Sequence, residues 1–179
     1  MSQSNHVAFL DCEFTSLEDP HLLSLSIVVD EHDFFYGEFG EHAVWSKANH
    51  FVVNNVQVQM GRTPRVFSRT QDLGDALCAW LEKHPGSMDI CYDYHADMDL
   101  LEQLLRASNH WNTYKACLIP THVGYLIGSN TTVVQETFAI IKKSLGIEQH
   151  HALADAFALR SLYNSTHGIM DNDEKTNTF

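Results

Sequence analysis

Four acidic residues and one histidine in this sequence have the types and the order needed to act on one substrate. Asp11 and Glu13 lie one residue apart at the end of an apolar run, and Asp97 follows a second apolar run. His150 precedes Asp155 by five residues. Converging carboxylates repel one another, and bound divalent cations relieve the repulsion. Oxygen ligands favour Mg²⁺ or Mn²⁺, and a pair of such ions suits displacement at phosphorus.

The first acidic pair lies on an extended segment at the end of a predicted strand. Alternate side chains of a strand point to the same face, so the Asp11 and Glu13 carboxylates are placed to share a cation while Cys12 points the other way. A strand end that simply turns polar gives the same D-x-E pattern, which is common. The pair therefore predicts a metal site only in combination with Asp97, His150 and Asp155.

Asp97 stands where an apolar strand gives way to a helical pattern. A helix N-cap is an alternative role, because Asp caps helices well. Asp93, nearer the strand, and Asp99, in the first helical turn, compete with it as the third ligand. We favour Asp97, because Leu100 and Leu101 then have the spacing that buries the helix against the sheet.

His150 and Asp155 belong to the segment HHALADA, which opens the last helical pattern. His150 lies just before that helix, from which it can reach over the site. A histidine with the usual pKa of about 6.5 is the common general base at neutral pH. The chain has 12 histidines, so a surface or capping role is the alternative, and His151 is the second candidate for the base.

The elements that must position these residues follow from hydrophobic periodicity. Three strands come first, at 6–11, 22–29 and 34–39. They are followed by a helix from Thr70, a strand at 88–92, a helix from Asp97 to Leu105, a strand at 114–119, a helix stopped by Gly146 and a last helix from near His151. This order predicts an α/β fold of three layers, with a mixed five-stranded sheet flanked by helices.

Length and composition indicate a single domain over residues 5–167, with a polar tail at 168–179. The chain has 179 residues, of which 44% are apolar and 19% charged, as in ordinary globular proteins. We expect a cytoplasmic protein without a membrane partner, because no run reaches roughly 18 apolar residues and the N-terminal stretch lacks a basic signal-peptide region. The cysteines form no C-x-x-C pair and are expected to be reduced and mostly buried: Cys12, Cys78, Cys91 and Cys117.

The net charge of −12 argues against a broad electrostatic grip on duplex nucleic acid. It agrees with an enzyme that holds a few nucleotides at a strand end, because part of the charge would belong to the metal site. Residues 40–69 are predicted to be irregular. Arg62, Arg65 and Arg69 form a basic cluster in this predicted loop. They could contact phosphates, although a solvated loop accounts for them as well.

Taken together, these motifs resemble those of the DEDDh 3′–5′ exonucleases of the ribonuclease-H-like superfamily. The matching stretches are DCEFTSL at 11–17, YHADMDLLEQL at 94–104 and HHALADA at 150–156. The resemblance covers nearly the whole chain, including the strand order. The first two stretches and the strand meander at 21–39 look most like the small bacterial exoribonucleases of the ribonuclease AS type.

The resemblance implies a ribonuclease-H-like fold and a defined set of site residues. Asp11, Glu13, Asp97 and Asp155 would hold two Mg²⁺ or Mn²⁺ ions. His150 would take a proton from the attacking water. The reaction would release nucleoside 5′-monophosphates from the 3′ ends of single-stranded RNA. Relatives often form homodimers, so the resemblance also implies a homodimer as an assembly to test.

Two further residues are implied as substrate contacts. Leu17 matches an apolar residue that in many relatives wedges against the terminal bases, and Phe14 is placed to stack on a base. Core packing is the alternative role for both. Many relatives have Thr at the position of Phe14 and Gly at that of Ser16, and His-Asn where this chain has Tyr92 and Asp93. The substrate contacts therefore differ in detail from those of the relatives.

The residues leave three other functions open. A 3′–5′ DNA exonuclease of proofreading type would need the same metal site, because few local contacts read the sugar 2′-hydroxyl. A non-catalytic nucleic-acid-binding module could keep the fold without the activity. A histidine-rich zinc protein is the third, although the histidines lack the usual ligand spacing.

Overall fold

A six-stranded mixed sheet forms the centre of the fold. The computed structural model describes residues 6–40, 42–63 and 65–169. The strands are β1 His6–Phe14, β2 Leu22–Val28, β3 Phe34–Phe39, β4 Val66–Phe67, β5 Met88–Tyr92 and β6 Leu118–His122. They lie in the order β4-β3-β2-β1-β5-β6, in which β2 is antiparallel to both neighbours and the other pairs are parallel. The α/β class and the mixed sheet are confirmed.

Helices cover both faces of this sheet. The α-helices are α1 His42–Trp45, α2 His50–Asn55, α3 Thr70–Leu81, α4 His95–Ala107, α5 Trp111–Tyr114, α6 Thr131–Leu145 and α7 Ala152–His167. Short 3₁₀ turns form at Gln57–Gln59 and Gly124–Leu126. Apolar side chains of α3 and α4 pack on one face of the sheet, and those of α6 and α7 pack on the other. This order of helix, sheet and helix agrees with the predicted three layers.

The alternation of β1 decides where its side chains go. Leu10 and Cys12 are buried against α3 and α4, whereas Phe9 packs against α7 on the opposite face. Asp11 and Glu13 lie two and four residues after Phe9, so their side chains point to the same face of the sheet as Phe9. Both carboxylates therefore emerge on the face that α7 covers.

The helix α7 lies close to the sheet, and half of its buried residues are alanines. Four alanines of α7 are at most 5% exposed: Ala152, Ala154, Ala156 and Ala158. Their small side chains let the helix backbone approach β1 and β2. The first turn of α7, which carries Asp155, is thereby held over the end of β1.

The sheet has one strand more than predicted. The prediction of five strands missed β4, which pairs with the end of β3 at the sheet edge. A strand of two residues carries no readable alternation. The strand predicted at 114–119 was misplaced, because α5 ends at Tyr114 and β6 begins at Leu118. The stretch at 40–69, predicted to be irregular, contains α1, α2 and β4.

Capping residues account for the helix ends beside the site. The Asn130 side chain accepts a hydrogen bond from a backbone N–H in the first turn of α6, and Gly146, with φ of 71°, ends that helix. His151 caps the start of α7 through its ring nitrogen. The predicted stop at Gly146 and the predicted start near His151 are both confirmed.

Cys12, Cys78 and Cys91 are buried, Cys117 is half-buried, and all four thiols are free. In the described ranges no helix combines the length and the apolar character that a membrane crossing requires. Residue 5, the predicted start of the domain, and most of the predicted tail, 170–179, lie outside the described residues.

Candidate metal centre

Two neighbouring strands present polar side chains to α7 near the end of β1. Asp11 and Glu13 are half-buried there, and they pair with Ser26 and Ser24 of β2. Both serines are fully buried. Side chains that pair across two antiparallel strands lie on the same face, so the serines stand beside the carboxylates.

Asp97 reaches the same place from the first turn of α4. It is 2% exposed, and its Oδ1 accepts a hydrogen bond of 3.3 Å from the Cys12 N–H. Its Oδ2 is buried and has no hydrogen-bond partner among the described residues. A buried carboxylate oxygen that has lost its hydration without gaining a partner costs free energy. A bound cation would restore that stabilisation, so this oxygen fits the role of a metal ligand.

Asp155 comes from the first turn of α7. Its Oδ2 accepts a hydrogen bond of 2.8 Å from the His150 N–H. This bond joins one of the acidic residues to the backbone of the predicted base. The spacing of five residues thus brings the Asp155 carboxylate next to the His150 N–H, at the start of α7.

Four other carboxylates meet around that of Asp11. Ligand oxygens of Asp11, Glu13 and Asp155 lie within 4.8 Å of one another, and so do those of Asp11, Asp93 and Asp97. Each group is small enough to surround one cation, and Asp11 belongs to both. A carboxylate has two oxygens, so Asp11 can bridge a pair of cations.

Asp93 is the acidic residue that the predicted set of four omitted. The prediction chose Asp97 over Asp93 and Asp99, whereas the structure brings both Asp93 and Asp97 to Asp11. Asp99 is exposed and belongs to neither group. The position of Asp93 in the sequence could have identified it, because Asp93 directly follows β5, which runs parallel to β1. Ends of adjacent parallel strands meet at one edge of a sheet.

Burial and mutual repulsion favour the protonated form of these acids in the absence of cations. Burial raises the pKa of Glu13 to about 9, and the charges of Asp155 and Asp97 add to the effect. Burial also raises the pKa of Asp155 to about 7, against the opposing hydrogen bond from His150. The pKa values of Asp11 and Asp97 are raised well above normal, first by burial and then by neighbouring carboxylates. Groups built from carboxylates alone suit Mg²⁺ or Mn²⁺.

The stability of the metal-free protein should fall as the pH rises through the range in which these acids titrate. In the unfolded chain they lose their protons at about pH 4, whereas in the folded protein the pKa of Asp155 is about 7 and that of Glu13 about 9. Between these limits the folded state binds more protons, so raising the pH weakens it. We expect the Tm in EDTA to drop by several degrees, because about 1 kcal/mol shifts a domain of this size by roughly 2–4 °C.

Thermal unfolding in EDTA and in Mg²⁺ over this pH range measures the effect. Mg²⁺ should raise the Tm most at high pH, where its carboxylate ligands are ionised. Glu13→Gln removes one titrating group and should give a shallower pH dependence. A Tm in EDTA that increases over the same range would show that these acids do not titrate in this way.

His150, the predicted base, lies on the wall of a cavity beside the carboxylates. The cavity has a volume of about 530 Å³, and Asp11, Asp93 and Asp155 also line it. Burial lowers the pKa of His150, which keeps its imidazole neutral and able to accept a proton at neutral pH. Its φ is 68°, a left-handed conformation that costs a residue with a Cβ roughly 1–2 kcal/mol.

His151, the second candidate for the base, occupies a different environment. It is 1% exposed, and its ring stacks on that of Tyr36 with 4.8 Å between the centroids. Its Nδ1 accepts a hydrogen bond from the Leu153 N–H, and burial lowers its pKa to about 4. These contacts give His151 a capping and packing role, so the geometry favours His150 as the base.

Apolar side chains lie next to several residues of the site. Leu17 is 66% exposed, whereas Phe14 is half-buried at the edge of the core. The Phe14 ring stacks on Tyr94, with 6.0 Å between centroids and 12° between planes. Phe51 is 54% exposed, and its ring stands edge-on to His150 at 5.0 Å. Sequence reasoning missed Tyr94 and Phe51, because no local pattern places them here.

The three arginines of the predicted basic cluster are engaged within the protein. Arg62 donates hydrogen bonds to two backbone carbonyls. Arg69 pairs with Asp72, and the guanidinium of Arg65 lies 5.9 Å from the ring centroid of Phe35. These contacts favour the loop interpretation of the cluster over a phosphate-binding one.

The comparison with known proteins is negative, since no protein-family model and no curated protein sequence matches this chain. What the protein does must therefore be inferred from its fold and its site. The most informative features are the two groups of carboxylates that share Asp11, the position of His150 and the exposed apolar side chains beside them.

Proposed function

We propose that the protein is a metal-dependent 3′–5′ exonuclease that removes nucleoside 5′-monophosphates from the 3′ ends of single-stranded RNA. The observation that carries the proposal is the sharing of Asp11 between two groups of carboxylates, with His150 on the wall of the same cavity. These carboxylates would hold two cations beside His150, and the cations and the histidine together would supply the chemistry for hydrolysis of a phosphodiester.

The strand order supports this proposal. Strands β3, β2, β1, β5 and β6 are neighbours in that sequence, and only β2 runs against the others. This is the arrangement expected of a ribonuclease-H-like domain, with β4 as an addition at the edge. The D-x-E, Asp97 and H-x-x-x-x-D motifs, which resemble those of DEDDh exonucleases, bring their acidic side chains together around Asp11.

Each residue has a defined part in the proposed reaction. The cations would be held by Asp11, Glu13, Asp93, Asp97 and Asp155. When bound, they supply Lewis acidity at the phosphate and make a water molecule acidic. His150 accepts the proton that the attacking water loses as its oxygen bonds to phosphorus. The bond from phosphorus to the 3′ oxygen of the preceding nucleotide breaks, and that oxygen takes a proton to become the new 3′-hydroxyl.

The surroundings of the cavity favour the end of a single strand as substrate. A volume of about 530 Å³ suits a small ligand such as one nucleotide. Unpaired bases stack on aromatic side chains, and Phe51 and Tyr94 are exposed beside the site. The net charge of −12 gives little general attraction to long duplexes. The choice of RNA over DNA rests on the resemblance to enzymes of the ribonuclease AS type.

A 3′-end degradation assay tests this proposal. Purified protein is incubated with 5′-labelled single-stranded RNA and Mg²⁺ or Mn²⁺, and a parallel reaction in EDTA is the control. The expected result is a metal-dependent ladder that shortens from the 3′ end, with release of nucleoside 5′-monophosphates. DNA of the same sequence is digested beside it for comparison.

The other outcomes of this assay distinguish the alternatives. Faster digestion of the DNA strand would point to a proofreading type of exonuclease. Retention of RNA on the protein without cleavage would point to a binding module. Internal cuts, or activity that persists in EDTA, would overturn the proposed mechanism.

A further inference from the structure

We propose that Gln59 is a positioning residue, which holds the loop between α6 and α7 and thereby fixes His150 beside the metal site. Gln59 is the last residue of the 3₁₀ turn Gln57–Gln59. This inference rests on the proposed function, because Gln59 would act on the reaction only through His150. It concerns a segment far from His150 in the sequence and outside every motif described above.

The carboxamide of Gln59 is buried and makes three hydrogen bonds. The residue is 5% exposed. Its Nε2 donates to the Gln149 carbonyl oxygen at 2.6 Å and to the Asn55 carbonyl oxygen at 3.2 Å. Its Oε1 accepts from the Glu148 N–H at 2.7 Å. Gln59 thus binds the backbone of the two residues that immediately precede His150.

The loop that Gln59 binds is attached to the fold along its whole length. At its beginning, the Arg62 guanidinium donates to the Gly146 carbonyl oxygen. At its end, the His150 N–H donates to Asp155. Gln59 acts between these points, directly before the left-handed backbone of His150. A residue in that conformation keeps it only where its surroundings fix the backbone.

A carboxamide is chemically suited to this task. Glutamine has a donor and an acceptor on one planar group, whereas an ionised glutamate only accepts and methionine offers no N–H or oxygen. The Gln59 side chain can therefore bind a carbonyl oxygen and an N–H of adjacent residues together. Because a displacement of about 1 Å in a reacting group can cost roughly 100-fold in rate, loss of these bonds should affect turnover.

Gln59→Met tests the assignment, because methionine has a similar size but cannot make these bonds. Gln57→Met, at an exposed glutamine of the same 3₁₀ turn, is the matched control. Both substitutions are made in the wild-type protein and in the His150→Ala variant. The kcat and KM for a single-stranded RNA oligomer are then measured with Mn²⁺.

Gln59→Met should lower kcat about 10- to 100-fold and leave KM and the required Mn²⁺ concentration nearly unchanged. In the His150→Ala variant it should cause no further loss, since the side chain to be positioned is gone. Gln57→Met should behave as wild type in both backgrounds. An equal loss from Gln59→Met with and without the His150 imidazole would overturn the proposal.

Hydrogen exchange provides a readout that needs no activity. In Gln59→Met the Glu148 and His150 N–H groups should exchange at least roughly tenfold faster, while the amides of β1 stay protected. If the wild-type protein cleaves no RNA, the proposed function fails, but this measurement still decides whether Gln59 holds the loop. Unchanged exchange at His150 would show that it does not. Should Gln59→Met fail to fold, Gln59→Glu takes its place. It loses the donors to Gln149 and Asn55 but keeps an acceptor for the Glu148 N–H, so the same loss of kcat is expected, with faster exchange at the His150 N–H only.

Discussion

Replacing Asp11 with asparagine is expected to lower turnover on single-stranded RNA by about 10³-fold or more. Asp11 is common to both groups of carboxylates, so the substitution weakens two cation sites at once. A neutral amide is a poorer ligand than a carboxylate for a hard cation. Losing several kcal/mol of charge stabilisation at the phosphate corresponds to about three orders of magnitude in rate.

The same substitution should leave the metal-free protein at least as stable as the wild type. Burial raises the pKa of Asp11, and the charges of Asp155, Asp97 and Glu13 add to it. Asparagine removes one member of this mutually repelling set. The rise in Tm that Mn²⁺ gives the wild type should be largely lost, because ligand binding stabilises the folded state only where a site remains. Opposite effects on activity and on metal-free stability distinguish a ligand from a structural residue.

Asp99→Asn is the matched control for this prediction. Asp99 is exposed and lies outside both carboxylate groups, yet its substitution makes the same chemical change, from a carboxyl group to an amide. Initial rates on RNA, and thermal unfolding in EDTA and in Mn²⁺, measure the two effects. Wild-type turnover in Asp11→Asn would contradict the ligand role, and an equal loss in Asp99→Asn would indicate a general effect of charge.

Local patterns were sufficient to predict most of the elements and the first acidic pair. Asp11 and Glu13 share a face because strand alternation is a property of the chain itself. The helix α6 ends at Gly146 because glycine readily adopts the left-handed conformation that terminates a helix. In both cases the residues that determine the geometry are neighbours in the sequence, so their pattern can be read without knowing the fold.

The third acidic position was harder to predict, because it depends on how a strand and a helix meet. Choosing among Asp93, Asp97 and Asp99 on sequence required the start of α4 to within about one turn. The helix begins at His95, and this junction lets both Asp93 and Asp97 approach Asp11. Their proximity results from the packing of β5 beside β1, which residue spacing within one segment does not encode.

Contacts between distant segments could not be predicted from local sequence patterns. Gln59 is hydrogen-bonded to Glu148 and Gln149, which are 89 and 90 positions away in the sequence. The Phe51 ring contacts that of His150, although the two residues lie on different segments of the chain. The edge strand β4 is recognisable only beside β3. Each of these features depends on tertiary packing, which overrides or adds to what short stretches prefer.

Removing the imidazole of His150 is expected to slow turnover about 10²–10⁴-fold, the usual contribution of a general base. Cation binding should persist, because both carboxylate groups are formed without this side chain. His150→Ala and His150→Asn should lose activity to a similar degree. The asparagine variant should be the more stable of the two, since asparagine tolerates the left-handed backbone that this position has. Single-turnover rates on RNA and Mn²⁺ titrations followed by Tm separate catalysis from cation binding.

The contrast with His151 makes this prediction specific to one histidine. His151→Ala should lose about 1 kcal/mol of stability through the missing helix cap, with a smaller effect on turnover than His150→Ala. His32→Ala, at an exposed position in the turn between β2 and β3, controls for the loss of any histidine. A large loss of turnover in His151→Ala, together with near-normal rates in both His150 variants, would transfer the role of base to His151. The buried, stacked ring of His151 would then have to leave Tyr36 to reach the substrate, whereas His150 already lines the cavity.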